Sequence, residues 1–134
     1  MKVGVRLPEG KSRFDDALRG AVRAEELGYD SVWLAEHHLM DGPYWPSPHF
    51  ALAGLATQLN RIALGTNILI LPLANPVRLA GELSLLGQIH SGPVLLGVAT
   101  GWRDKEYDAM GVRKELPGTT DGRVRCRDTG AIPG

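Results

Sequence analysis

Along the first hundred residues, short continuous apolar runs alternate with longer stretches in which apolar residues recur at helical spacing. Val3-Gly4-Val5-Arg6-Leu7 reads as a buried strand stopped by Pro8-Glu9-Gly10. Ser12 stands three residues before Asp15, a helix-start pattern, and Phe14, Ala17, Leu18, Ala21 and Leu27 form an apolar stripe closed by Gly28 at a C-cap position. Ser31-Val32-Trp33-Leu34-Ala35 is the next strand. Ser47-Pro48 and Asn75-Pro76 each place a capping residue before a proline suited to the first helical turn. These signals predict strands near residues 2–7, 31–35, 62–71 and 94–98, and helices near 13–27, 48–59 and 76–90. Residues 103–111 can add one or two helical turns.

The strands are continuously apolar rather than alternating, as in a parallel sheet covered on both faces. A unit of about 30 residues matches a βαβ module. The fold class is therefore α/β, with a doubly wound open sheet and a (β/α)8 barrel as the competing architectures. No Gly-x-Gly-x-x-Gly turn follows the first strand, which weighs against a dinucleotide-binding sheet. From Leu116 to Gly134 the chain becomes rich in Gly, Thr, Arg and Asp, with Val124 and Ile132 isolated, and reads as disordered or poorly packed.

Charge narrows the partners. Lysine plus arginine number 15 and aspartate plus glutamate number 15, so the formal charge is zero. Neither nucleic acid nor an anionic membrane is an expected partner. The one cysteine, Cys126, excludes an internal disulfide, and a cytoplasmic location is expected. The apolar stretch from Ile62 to Val77 is interrupted by Gly65, Asn67, Pro72, Asn75 and Pro76, unlike a membrane span.

In a parallel sheet, chemistry gathers at the carboxyl ends of the strands. Four places qualify: Pro8-Glu9, Glu36-His37-His38, Leu71-Pro72 and Thr100-Gly101-Trp102. The second offers acid–base groups that titrate near neutral pH. Adjacent residues of an extended segment point to opposite sides, so His37 and His38 need not share a site. Two histidines without a third ligand make a poor metal centre, and no metal is expected. Trp33 reads as core packing and Arg78 as a solvated helix charge.

Three stretches together resemble the bacterial luciferase-like oxidoreductases: Glu25 to Leu39, Leu64 to Arg78, and Leu95 through Trp102 to Val112. The resemblance covers residues 1–115 and leaves 116–134 as a tail outside the family. It implies half of a (β/α)8 barrel that binds reduced flavin mononucleotide (FMN), or alternatively the deazaflavin coenzyme F420. His37 matches the family's catalytic histidine, which would help reduced flavin react with oxygen, or act as acid or base beside hydride transfer in the deazaflavin enzymes. Thr66, Asn67 and Ile68 match a kinked third strand, where a non-proline cis peptide shapes a bulge under the flavin ring. Glu36, His38, Thr100, Gly101 and Trp102 complete the expected cofactor-binding set.

The chain departs from the light-emitting members. Ala99 stands in place of a reactive cysteine and Thr100 in place of a phosphate-binding arginine, which points to a general oxidoreductase or monooxygenase acting on a small organic substrate. A full barrel takes about 250 residues, so a truncated product is expected. Its exposed strand edges lead to the expectation of a homo-oligomer. A non-catalytic half-barrel that self-associates is the contrasting reading.

Overall fold

The computed structural model describes residues 1–9, 13–41 and 44–114. Four strands, β1 (Gly4–Arg6), β2 (Ser31–Leu34), β3 (Ala63–Ile70) and β4 (Val94–Ala99), form one sheet in the order β1-β2-β3-β4. Every neighbouring pair is parallel. Helices α1 (Phe14–Glu26), α2 (Pro48–Ala56) and α3 (Pro76–Ile89) make the crossovers, and a short α4 (Asp104–Met110) follows β4. The sequence-predicted order of strands and helices is observed, and the additional turns near residues 103–111 are α4.

The register divides the sheet into two faces. Val5, Val32, Leu64 and Val94 lie side by side across the four strands and pack into the core with Ala17, Ala21, Leu52, Leu55 and Leu86. The next row, Arg6, Trp33, Gly65 and Leu95, faces the opposite way because side chains alternate along a strand. Trp33 lies across this second face, where its indole N–H donates to Ser31 Oγ at 2.8 Å. Glycines at 4 and 65 leave room for it, since a Cβ at either would collide with the indole.

The helix ends follow local chemistry. Arg13 precedes α1, and its N–H donates to the Asp16 carboxylate at 2.8 Å; Ser12 lies outside the described residues. Gly28, at φ 84°, turns the chain out of α1. Asn75 caps α3, its side-chain oxygen accepting from the N–H groups of Val77 and Arg78 at 3.1 Å. Ser47 holds the corresponding position on α2, but its hydroxyl meets His49 Nε2 at 3.2 Å instead of a backbone N–H. Helix α2 ends at Ala56, earlier than the pattern predicts: Thr57 Oγ1 donates back to the Gly54 carbonyl, and the Glu25 carboxylate collects the N–H groups of Asn60, Arg61 and Ile62.

In β3, the Asn67–Ile68 peptide is cis, and the register against β4 shifts between Thr66 and Leu69. The irregularity expected from the resemblance is present at that bond. The tail from 116 to 134 lies outside the described residues.

Candidate active site

At the carboxyl ends of the strands lies a hollow of about 130 Å³, lined by Arg6, Ala35, Glu36, His37, Asn67, Ile68, Ile70, Gly101, Trp102 and Glu106. All four strands contribute to it. The fold thus brings together Glu36, His37, Asn67, Ile68, Gly101 and Trp102 from the expected set. Gly101 adopts φ +74°, and a Cβ there would lie 2.8 Å from Ile70 Cγ2, so a side chain would both strain the backbone and press on the wall.

His38, Thr66 and Thr100 are placed elsewhere. Nε2 of His38 lies 2.7 Å from Glu36 Oε1. Thr66 is buried beneath the bulge, its hydroxyl donating to the Gly97 carbonyl at 2.9 Å and accepting from the Gly97 N–H at 3.1 Å. The Thr100 carbonyl accepts from the Tyr107 hydroxyl. Burial pushes the Tyr107 phenol above its ordinary value, Glu106 adds to the shift, and Lys114 partly opposes it. Tyr107 therefore remains a proton donor at neutral pH and ties α4 to the end of β4.

His37 is held at the mouth of the hollow by its backbone and neighbours. Its N–H donates to the Trp45 carbonyl at 3.1 Å. The ring meets Tyr44 edge to face, with centroids 5.3 Å apart. Nε2 of His37 is 3.9 Å from Glu9 Oε2, beyond direct hydrogen-bond reach. Glu9 itself is held by Arg6, with Nη2 to Oε2 at 2.5 Å, and by the Ala35 N–H at 3.3 Å. Glu36 spans the bulge: its N–H donates to the Ile68 carbonyl at 2.9 Å and its Oε2 accepts from the Ile70 N–H at 2.5 Å.

Arg6 and Glu106 do not emerge from sequence patterns as site residues, whereas Pro8-Glu9 is marked only as a strand end where chemistry could gather. Glu9 has a positional signal, because it follows β1 at the carboxyl end. Glu106 has none, since its partner His38 is 68 residues away. Among the described residues no group of three or more His, Cys, Asp or Glu could hold a metal ion, and no helix is long and apolar enough to cross a membrane.

The hollow is mixed in character. Its walls combine apolar Ala35, Ile68 and Ile70 with the backbone around Gly101 and the Trp102 indole, which is 74% exposed. Its volume falls below the roughly 300–1,000 Å³ usual for a small-molecule pocket. Arg6, the cation on the wall, is already paired with Glu9.

Comparison with known proteins assigns this arrangement to a family. The family model described as luciferase-like monooxygenase matches residues 1–124. The chain is 31% identical over 100 residues to the oxygenase component of flavin-dependent trigonelline monooxygenase from Acinetobacter baylyi, covering 75% of this chain and 28% of that protein. It is 32% identical over 117 residues to F420-dependent glucose-6-phosphate dehydrogenase from Kribbella flavida, covering 84% of this chain and 34% of that protein. Its fold is similar to the oxygenating constituent of 3,6-diketocamphane monooxygenase from Pseudomonas putida, solved in complex with FMN. That likeness has a TM-score of 0.75 at 28% identity, over 84% of this chain and 33% of the other. The chain spans about a third of the length of these relatives. With its parallel strands, its strand-end hollow and a family match over nearly its whole length, the chain belongs to the luciferase-like monooxygenase family.

Proposed function

We propose that the chain supplies the His37-bearing half of a flavin site in a monooxygenase that uses reduced FMN and oxygen on a small organic substrate. The observation that carries the reading is the convergence of His37, Asn67, Ile68, Gly101 and Trp102, from three strand ends, on one hollow. Asn67, Ile68 and Trp102 would contact the ring, and the Gly101 backbone would allow its close approach. Bound flavin would supply the redox chemistry. His37 would hold or deliver a proton at Nε2, with Tyr44 packed against the ring and Glu9 nearby. General acid–base help of this kind is typically worth about 10²–10⁴-fold in rate. A phosphate normally needs backbone N–H groups and a helix N-terminus, and in this proposal that cradle comes from barrel strands beyond these four. FMN bound to a structurally similar protein supports the choice of cofactor.

A second reading, deazaflavin-dependent hydride transfer, is favoured by the F420-dependent relative, which matches over 84% of the chain. Parallel titrations with reduced FMN and reduced coenzyme F420, followed by absorbance, separate the two. Perturbation by FMN alone supports the first reading, and by F420 alone the second.

Self-association belongs to the same proposal. Strand β4 is the last of the sheet and leaves Leu95, Leu96 and Val98 exposed, and β1 is the other edge. Pairing of such edges satisfies their free N–H and C=O groups and covers apolar surface. Light scattering of the 134-residue chain is expected to give a mass above the monomer's. A cytoplasmic location remains part of the proposal.

A further inference from the structure

We propose that Glu106 and Arg103 are positioning residues for His37, acting as two jaws on the peptide groups of His38. This inference rests on the reading of His37 as the site's acid–base group.

The contacts are specific. Glu106 is only 2% exposed although it carries a carboxylate, and a buried carboxylate requires partners. Its Oε1 accepts the His38 N–H at 2.9 Å. Arg103 Nη1 donates to the His38 carbonyl at 2.9 Å and lies 3.8 Å from Glu106 Oε1. Both backbone polar groups of His38 are thereby held from the α4 side, 65 and 68 residues further along the chain. The His38 ring is fixed separately, on Glu36. His37 thus sits between two anchored neighbours, Glu36 and His38.

The backbone carries a second mark of this clamp. Leu39, directly after His38, has φ 52°, the left-handed region that a residue with a branched side chain enters when its surroundings hold it there. Its own side chain is 65% exposed and does little to fix it. The two bonds to His38 are the contacts positioned to do so. Helix α4 is itself anchored, through Tyr107 to the Thr100 carbonyl and through Lys114 to the Trp102 carbonyl at 2.7 Å. The segment after β4 therefore fixes the direction of the imidazole after β2, and the Glu106 side chain lines the same hollow.

The test uses the 134-residue chain and two readouts that need no turnover. One is hydrogen exchange at the His38 amide; the other is the NMR cross-peak between the His37 and Tyr44 rings. Glu106→Ala should speed His38 exchange about tenfold or more, as expected for loss of a buried acceptor, and should weaken the ring cross-peak. Glu106→Gln keeps an acceptor oxygen and should restore both. Arg103→Met removes the other jaw and should weaken the ring contact even if Glu106→Ala fails to fold. Protection of the Val32 and Leu64 amides reports an intact core. An unchanged ring cross-peak in folded Glu106→Ala or Arg103→Met overturns the proposal, whatever happens to exchange. Failure of flavin to bind would count against the flavin reading and leave these two readouts unaffected.

Discussion

Glu36 and His38 are joined side chain to side chain, with Oε1 to Nε2 at 2.7 Å, while the other Glu36 oxygen accepts the Ile70 N–H at 2.5 Å. This bond gives the adjacent histidines different work. His38 is turned onto Glu36 and braces the end of β2 against β3, while His37 lines the hollow. Removing either partner leaves a partly buried polar group short of a bond, which costs about 1–3 kcal/mol. A double-mutant cycle of Glu36→Ala and His38→Ala, followed by urea unfolding, should therefore give single losses in that range and a favourable coupling energy. Simple additivity would show that the bond contributes nothing to stability.

The same division predicts opposite kinetic consequences. In a flavin enzyme that carries this segment, His37→Ala should slow turnover by about 10²–10⁴-fold with little change in flavin affinity. His38→Ala should act mainly through stability. Rapid-mixing measurement of bound reduced flavin consumed by oxygen distinguishes the two. A large rate loss confined to His38→Ala would assign the chemistry to the other ring.

Trp33 makes a packing prediction. A Cβ at Gly65 would collide with the indole carbons, and the ring is bounded on the other side by Gly4. Gly65→Ala should destabilise the fold by about 1–3 kcal/mol through overpacking. Pairing it with Trp33→Leu should recover part of the loss. Thermal unfolding of the single and double variants measures this, and an unaltered melting temperature in Gly65→Ala would refute the close approach.

Glu25 links the fold to pH. Burial alone would raise its carboxyl, but the N–H groups of Ile62, Arg61 and Asn60, with the Arg61 charge, outweigh that and hold it below its ordinary value of 4.5. A carboxyl lower in the folded than in the unfolded chain contributes its full stabilisation above the unfolded value and loses it as pH falls through the folded one. Stability should thus decline on acidification below about pH 5, and Glu25→Gln should flatten that decline. Denaturant midpoints measured across this acidic range test it. An equally steep decline in the variant would place the acid sensitivity elsewhere.

Much of the architecture is legible in the residues because it depends on local rules. Val32, Leu64 and Val94 sit in apolar runs, and Asn75-Pro76 announces α3. Adjacency along the chain leaves His37 and His38 free to take different partners, and they do: His37 lines the hollow while His38 turns onto Glu36. What local rules cannot reveal is how distant segments meet. Glu106 reads as one more charge on a short helix until β4 carries it beside His38. Ser47 occupies a recognisable cap position, yet His49 takes its hydroxyl. Thr66 shares the motif of the bulge, but the register places its side chain against Gly97 rather than in the hollow.

In the proposed site, the hollow at the strand ends receives the flavin ring. NMR spectra of the 134-residue chain during titration with reduced FMN report on that placement. Weak binding in fast exchange is expected, with shifts concentrated on the His37 ring, the Trp102 indole and the backbone amides of Asn67 and Gly101. The His49 and His90 rings, outside the hollow, should stay in place. Shifts centred elsewhere, or spectra unchanged at high FMN concentration, would contradict it.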